Sequence, residues 1–112
     1  MFTERESDYY LSIRIYNSNR DKPIFNWSQS RGNIALGITI AKEEVQRKIS
    51  PDKENHYSIM IKLRNDKDNR TVFEWNNQQG NVRKALNTAD EYIQYKLGFD
   101  LVNQVKSAAK VE

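Results

Sequence analysis

The sequence contains no cysteine, and His56 is its single histidine. Without thiols, the chain can form neither disulfide bonds nor thiolate metal sites. It also lacks a glycine-rich phosphate loop, an HExxH motif and a nucleophile elbow. No partner for His56 is visible in the sequence, so we interpret it as a surface residue of the sheet rather than a catalytic base. We therefore expect a protein that is not an enzyme and that has no cofactor and no metal site.

Long apolar runs are absent as well, and none approaches the length that crosses a membrane. The N-terminus has no hydrophobic leader segment, so we expect a cytoplasmic protein without membrane contact. Charged residues make up 29% of the chain, and the net charge of +3 permits an anionic partner without requiring one. With 112 residues, of which 38% are hydrophobic, the chain has the size of a single domain, 1–112, with one core.

An internal repeat is the most informative feature that is present. When the chain is shifted by 48 positions, eight of the 25 residues from Phe25 to Ile49 meet an identical residue. Unrelated segments would give about one or two identities, so the match predicts two diverged copies of one unit, at about 9–50 and 56–98. The identical pairs are Phe25 and Phe73, Trp27 and Trp75, Gly32 and Gly80, Asn33 and Asn81, Ala41 and Ala89, Glu43 and Glu91, Gln46 and Gln94, and Lys48 and Lys96.

Hydrophobic periodicity assigns a secondary structure to each unit. Alternation of apolar and polar residues, bounded by turn residues, predicts four strands, at 9–17, 23–27, 56–64 and 70–75. Helical spacing predicts helices near 33–49 and 81–97, with Asn33 and Asn81 as N-caps and Gly98 as a stop. Residues 34–40 would also fit a strand, which leaves a strand-then-helix interpretation of the first helix open. A last helix is predicted at about 100–110.

The predicted fold is of the α+β class, a duplicated ββα-ββα arrangement with an antiparallel sheet of about four strands. Two helices cover one face of the sheet, and the C-terminal helix either closes an edge of the sheet or meets another molecule. Nothing in the sequence is assigned to the second face, which we expect to be open to solvent.

The open face carries the candidate site. Alternation places flat rings and cations together there, and single-stranded nucleic acid needs this combination, since bases stack on rings and cations neutralise phosphates. Arg14, Lys62 and Arg64 would hold phosphates, and Tyr10 and Tyr16 would stack on bases. The same pattern also suits an ordinary solvated sheet face. The candidate nucleic-acid-binding residues are Tyr10, Arg14, Tyr16, Asn26, His56, Lys62 and Arg64.

Trp27 and Trp75 allow two interpretations. Each lies two residues after a phenylalanine and so shares a strand face with it. They would either pack the helices onto the hairpins or, if the faces were reversed, form the stacking platform themselves.

A repeated hairpin-and-helix unit with an open, basic and aromatic sheet resembles in its layout the Pur-type and other β-sheet proteins that bind single strands. The present unit is shorter than the four-stranded repeat of the Pur family. The resemblance is one of layout only. The open face itself predicts a weakly sequence-specific protein that binds single-stranded DNA or RNA. The alternative is a protein-interaction module, a small regulator or inhibitor that binds a protein partner through the sheet face or the last helix. Exposed strand edges also suggest a homodimer.

Overall fold

The computed structural model describes residues 6–17, 23–28, 33–77 and 80–99, and shows an α+β fold with one four-stranded antiparallel sheet. The strands are β1 (Tyr9–Asn17), β2 (Pro23–Trp27), β3 (Tyr57–Asn65) and β4 (Arg70–Asn77), in the order β2-β1-β3-β4. β1 and β3 form the centre of the sheet, and β2 and β4 are its edges. The predicted bounds of β1 and β2 are confirmed, whereas β3 begins one residue later than predicted and β4 ends two residues later.

The side chains on one face of the sheet form one side of the hydrophobic core. Leu11, Ile13 and Ile15 of β1 are fully buried, and so are Ile59, Ile61 and Leu63 of β3, which share their face. β1 pairs with β3 so that Ile13 lies opposite Ile61, and each lies opposite a tryptophan of its outer strand. Directly opposed residues of an antiparallel pair point to the same face. The predicted alternation of buried and exposed positions is therefore confirmed.

Helices α1 (Ile34–Lys48) and α2 (Val82–Glu91) cover this face. Each buries one apolar stripe, because residues three and four positions apart share a helix face. α1 is continuous, so the strand-then-helix interpretation of residues 34–40 is wrong. α2 continues through a π-helical turn, Tyr92–Lys96, and Gly98 follows with φ +75°. Glycine adopts this left-handed conformation at low cost, which confirms Gly98 as the predicted stop.

The predicted role of the asparagines at the helix starts is wrong in its mechanism. Asn33 and Asn81 do precede α1 and α2, but both are left-handed, with φ of 56° and 54°, and neither side chain caps its helix. Instead, Glu54 from the linker accepts a hydrogen bond from the backbone N–H of Arg83, at 3.1 Å. Its second carboxylate oxygen accepts one from the Arg83 guanidinium at 2.7 Å. The fold thus places the carboxylate of Glu54 at the N-terminus of α2, where a negative charge is favourable.

The two tryptophans lie on the helix-covered face, where they pack half-buried against the core together with Phe25 and Phe73. The ring of Trp27 contacts α1 at Gly37 so closely that a Cβ built there would lie 2.6 Å from Nε1. The interpretation of Trp27 and Trp75 as packing residues is therefore confirmed, and their use as an open stacking platform is excluded.

The predicted helix at about 100–110 lies outside the described residues. Within the described ranges, no helix is long and apolar enough to cross a membrane.

Candidate nucleic-acid interface

The second face of the sheet brings together six of the seven predicted site residues. Along the central strand pair, Tyr10 lies opposite Arg64, Ser12 opposite Lys62, Arg14 opposite Met60, and Tyr16 opposite Ser58. On the outer strands, Asn26 lies opposite Arg14, and Glu74 lies opposite Lys62. These positions alternate with the buried ones, so their side chains share the face that the helices leave open.

His56 is the exception. It was predicted to begin β3, but it is the last residue of a 3₁₀ segment, Pro51–His56, and the strand begins at Tyr57. Proline is favoured at the start of such a segment because its fixed φ suits a helical turn and its missing N–H is not needed there. His56 is exposed, and it lies outside the ladder of the open face.

Tyr10 and Arg64 form a connected unit at one end of the face. The Arg64 guanidinium lies over the Tyr10 ring, 5.4 Å from its centroid. The Tyr10 hydroxyl donates a hydrogen bond to the carbonyl of Ser28 at 2.7 Å, and Arg64 Nε donates one to Asp66 Oδ1 at 2.8 Å. These contacts fix both side chains, and the Asp66 carboxylate already neutralises part of the charge of Arg64.

Arg14 and Lys62 are exposed, and they form no ion pair among the described residues. Both border a shallow depression of about 180 Å³ in the middle of the face. Lys62 has Glu74 as its cross-strand neighbour, whereas Arg14 lies between the amide of Asn26 and the thioether of Met60. The depression is lined by Ser12, Arg14, Met60, Ile61, Lys62, Glu74, Trp75 and Asn76.

The other end of the face is less open. Tyr16 is half-buried and lies opposite Ser58, which is only 3% exposed although it is on the solvent side of β3. Met60, by contrast, is 45% exposed. The central rows of the face thus offer the most accessible surface, with cations and apolar atoms side by side.

Two residues of this surface were missed by the sequence prediction. The sequence pattern ends β4 at Trp75 and so misses Asn76, although alternation continued by one residue places Asn76 beside Met60. Asp66 was assigned to a turn, and its pairing with Arg64 depends on how that turn folds back. Within the described part of the chain, no group of three or more His, Cys, Asp or Glu side chains is arranged to hold a metal ion.

Comparison of the chain with protein-family models, with curated proteins and with solved structures gives no match.

Proposed function

We propose that the chain is a non-enzymatic protein that binds single-stranded nucleic acid on the open face of its sheet, with little sequence specificity. The observation that carries the proposal is a pair of exposed cations, Arg14 and Lys62, that have no ion-pair partner in the described part of the chain and lie beside a depression with apolar and amide groups. Cations of this kind can neutralise phosphates without first breaking an internal pair. A cytoplasmic location remains a prediction from the sequence.

We assign the site residues different roles, which their contacts support. Arg14 and Lys62 hold phosphates. Tyr16 stacks on a base, while Arg64 presents its guanidinium plane, which is held over Tyr10, as a further stacking surface. Asn26 and Asn76 supply amides that hydrogen-bond base edges without selecting one base. The single acid in the central rows, Glu74, limits the positive charge, so we expect modest affinity.

We also propose that the two ββα units arose by duplication. Two contacts support this. Arg14 and Met60 are opposite each other in the central strand pair and are 46 positions apart, the offset that aligns the first strands of the two units. Lys42 and Asp90 form an ion pair between the helices and are 48 positions apart, the offset that aligns the helices. A two-fold axis that relates the units would pass through both contacts.

The test of the nucleic-acid proposal is fluorescence anisotropy with labelled oligo-dT and oligo-U at several salt concentrations. We expect the logarithm of the binding constant to fall linearly with the logarithm of the salt concentration, with a slope of about −0.7 for each phosphate neutralised. Arg14→Ala and Lys62→Ala should each weaken binding. Arg47→Ala is the matched control, because it removes one exposed cation from α1, on the opposite side of the molecule. Absence of binding at low salt, or an equal loss with Arg47→Ala, would reject the proposal.

A protein-interaction module remains the second candidate function. It is favoured by the exposure of Tyr95, which at 79% is far above that of the aromatic residues that belong to the core cluster or pack against it. Tyrosine is enriched at protein interfaces, because it combines a large contact area with a hydroxyl group.

A further inference from the structure

The two outer edges of the sheet differ in chemistry although their residues are related by the 48-residue offset. One edge consists of β2 and the adjoining side of α1. There, Glu44 accepts a salt bridge from Arg47 and another from Lys48, the latter at 3.1 Å. Lys48 Nζ also donates a hydrogen bond to the carbonyl of Ile24 on β2, at 3.4 Å.

This first edge is protected against pairing with another strand. β2 has only five residues and begins with Pro23, which has no N–H to donate to a further strand. The Lys48 ammonium group binds the backbone carbonyl of Ile24, and the charged side chains of Glu44 and Arg47 lie beside it. Proline, short length and lysine are common means by which proteins block an edge strand.

The corresponding edge, formed by β4 and α2, lacks the proline and the short strand. Lys96 occupies the position that corresponds to Lys48, but within the described residues it makes no hydrogen bond to β4. Tyr92 and Tyr95 occupy the positions that correspond to Glu44 and Arg47. Tyr92 packs against Phe73 of β4, with ring centroids 5.4 Å apart, and Tyr95 lies one turn further along. β4 has eight residues and no proline. Within the described residues, no group outside the β3 ladder hydrogen-bonds to the backbone of β4.

We propose that the β4–α2 edge is a dimerisation surface, on which a second copy of the chain pairs its own β4 antiparallel to this one. The chain already contains a contact of this type, because β1 and β3 pair antiparallel around Arg14 and Met60. An edge rich in aromatic residues is complementary to its own copy across a two-fold axis. Tyr95 and the exposed part of Phe73 become buried in the dimer.

The dimer joins two four-stranded sheets into one, so that the two open faces lie side by side. This inference does not depend on nucleic-acid binding, and it is tested in the absence of any ligand.

The experiment is sedimentation velocity of the full chain over a series of concentrations, combined with hydrogen exchange of backbone amides. We expect a reversible dimer, with amides of β4 that exchange more slowly as the concentration rises and amides of β2 that do not change. Tyr95→Ala should raise the dimer dissociation constant more than tenfold, because exposed tyrosines at interface centres act as hot spots. Arg47→Ala, at the corresponding position of α1, should leave it unchanged.

Three results would overturn the proposal. The first is a chain that stays monomeric up to about 1 mM. The second is a dimer whose β4 amides exchange at the same rate at all concentrations, because the contact would then lie elsewhere. The third is a dimer that Arg47→Ala weakens as much as Tyr95→Ala does.

Discussion

Lys42 and Asp90 meet between α1 and α2 at a distance of 2.5 Å between Nζ and Oδ2. Asp90 also accepts a hydrogen bond from Gln94 Nε2 at 2.8 Å. Because the two residues correspond under the 48-residue offset, a single contact joins equivalent positions of the two units. Under the proposed duplication, these two facing positions have diverged to opposite charges and now form an ion pair.

A double-mutant cycle with Lys42→Ala and Asp90→Ala should show a coupling energy of about 0.5–1 kcal/mol, the range of partly exposed ion pairs. Urea denaturation of the four proteins measures it. The coupling should shrink at high salt, because solvent ions screen charges that are not fully buried. A coupling of zero at low salt would show that the pair contributes nothing to the helix interface.

The second prediction concerns Gly37 of α1. Gly37→Ala places a Cβ 2.6 Å from Trp27 Nε1 and 3.1 Å from a Leu11 methyl carbon, so the indole has to move. The clash should outweigh the helix propensity gained, with a net loss of about 1–3 kcal/mol in the free energy of unfolding.

The matched control for Gly37→Ala is Ala85→Gly, at the corresponding position of α2. It should lose about 2 kcal/mol, about half from helix propensity and the rest from the fully buried methyl group that is removed. Thermal or urea unfolding compares the two variants. If Gly37→Ala stabilised the protein, the close packing of Trp27 on α1 would be wrong.

The third prediction concerns Glu54 at the start of α2. Burial raises the pKa of Glu54, but its hydrogen bonds and its charge interaction with Arg83 outweigh this, so the pKa lies below the ordinary 4.5. Because the folded-state pKa is the lower one, the stabilisation is complete above the unfolded-state pKa and is lost as the pH falls through the folded-state value. Glu54→Gln should therefore be less stable than the wild type at pH 7 by about 1 kcal/mol, the usual size of a helix cap.

Urea midpoints of the wild type and Glu54→Gln, measured from pH 7 to below pH 4, test this pH dependence. The two curves should converge at acid pH, since the glutamate then loses its charge as well. Curves that stay parallel would mean that the carboxylate charge of Glu54 does not stabilise α2.

The fourth prediction concerns the end of the second helix. Gly98 has φ +75°, and apart from its chain neighbours no atom of the described residues lies within 4 Å of the place where a Cβ would be. Gly98→Ala should thus cost about 1 kcal/mol through backbone strain alone, and Gly98→Asn should cost less, because asparagine tolerates the left-handed region. Equal melting temperatures for all three proteins would contradict the helix stop.

The strands and the helix stripes could be predicted because they depend on local patterns. Alternation over Tyr9–Asn17 and the turn residues around each strand are present in the sequence itself. The cap of α2 could not be predicted in this way, because Glu54 lies 29 positions before Arg83 and meets it only in the folded chain. The sequence-based preference for Asn as an N-cap was misleading for a related reason, because asparagine is also the residue that best tolerates φ > 0.

For the candidate site, the sequence predicts which residues share a face but not which contacts their side chains make. Alternation assigned Tyr10, Arg14, Tyr16, Lys62 and Arg64 to one face, but it could not separate paired from unpaired cations. Arg64 is held by Asp66 and stacked on Tyr10, whereas Arg14 and Lys62 have no ion-pair partner among the described residues. That difference arises from side-chain geometry and changes which residues we expect to hold phosphates.

The last prediction separates stacking from charge on the open face. Tyr16→Ala should weaken the binding of oligo-dT by about 1–3 kcal/mol, the value of one base stacked on a ring, and leave the salt slope unchanged. Arg14→Ala should instead make the log–log slope shallower by about 0.7, since one phosphate contact is lost. Anisotropy titrations at several salt concentrations give both quantities. If Tyr16→Ala changed the slope and Arg14→Ala did not, the roles assigned to ring and cation would be wrong. A loss of affinity without any change in slope for both variants would point to an apolar ligand surface around Met60 instead.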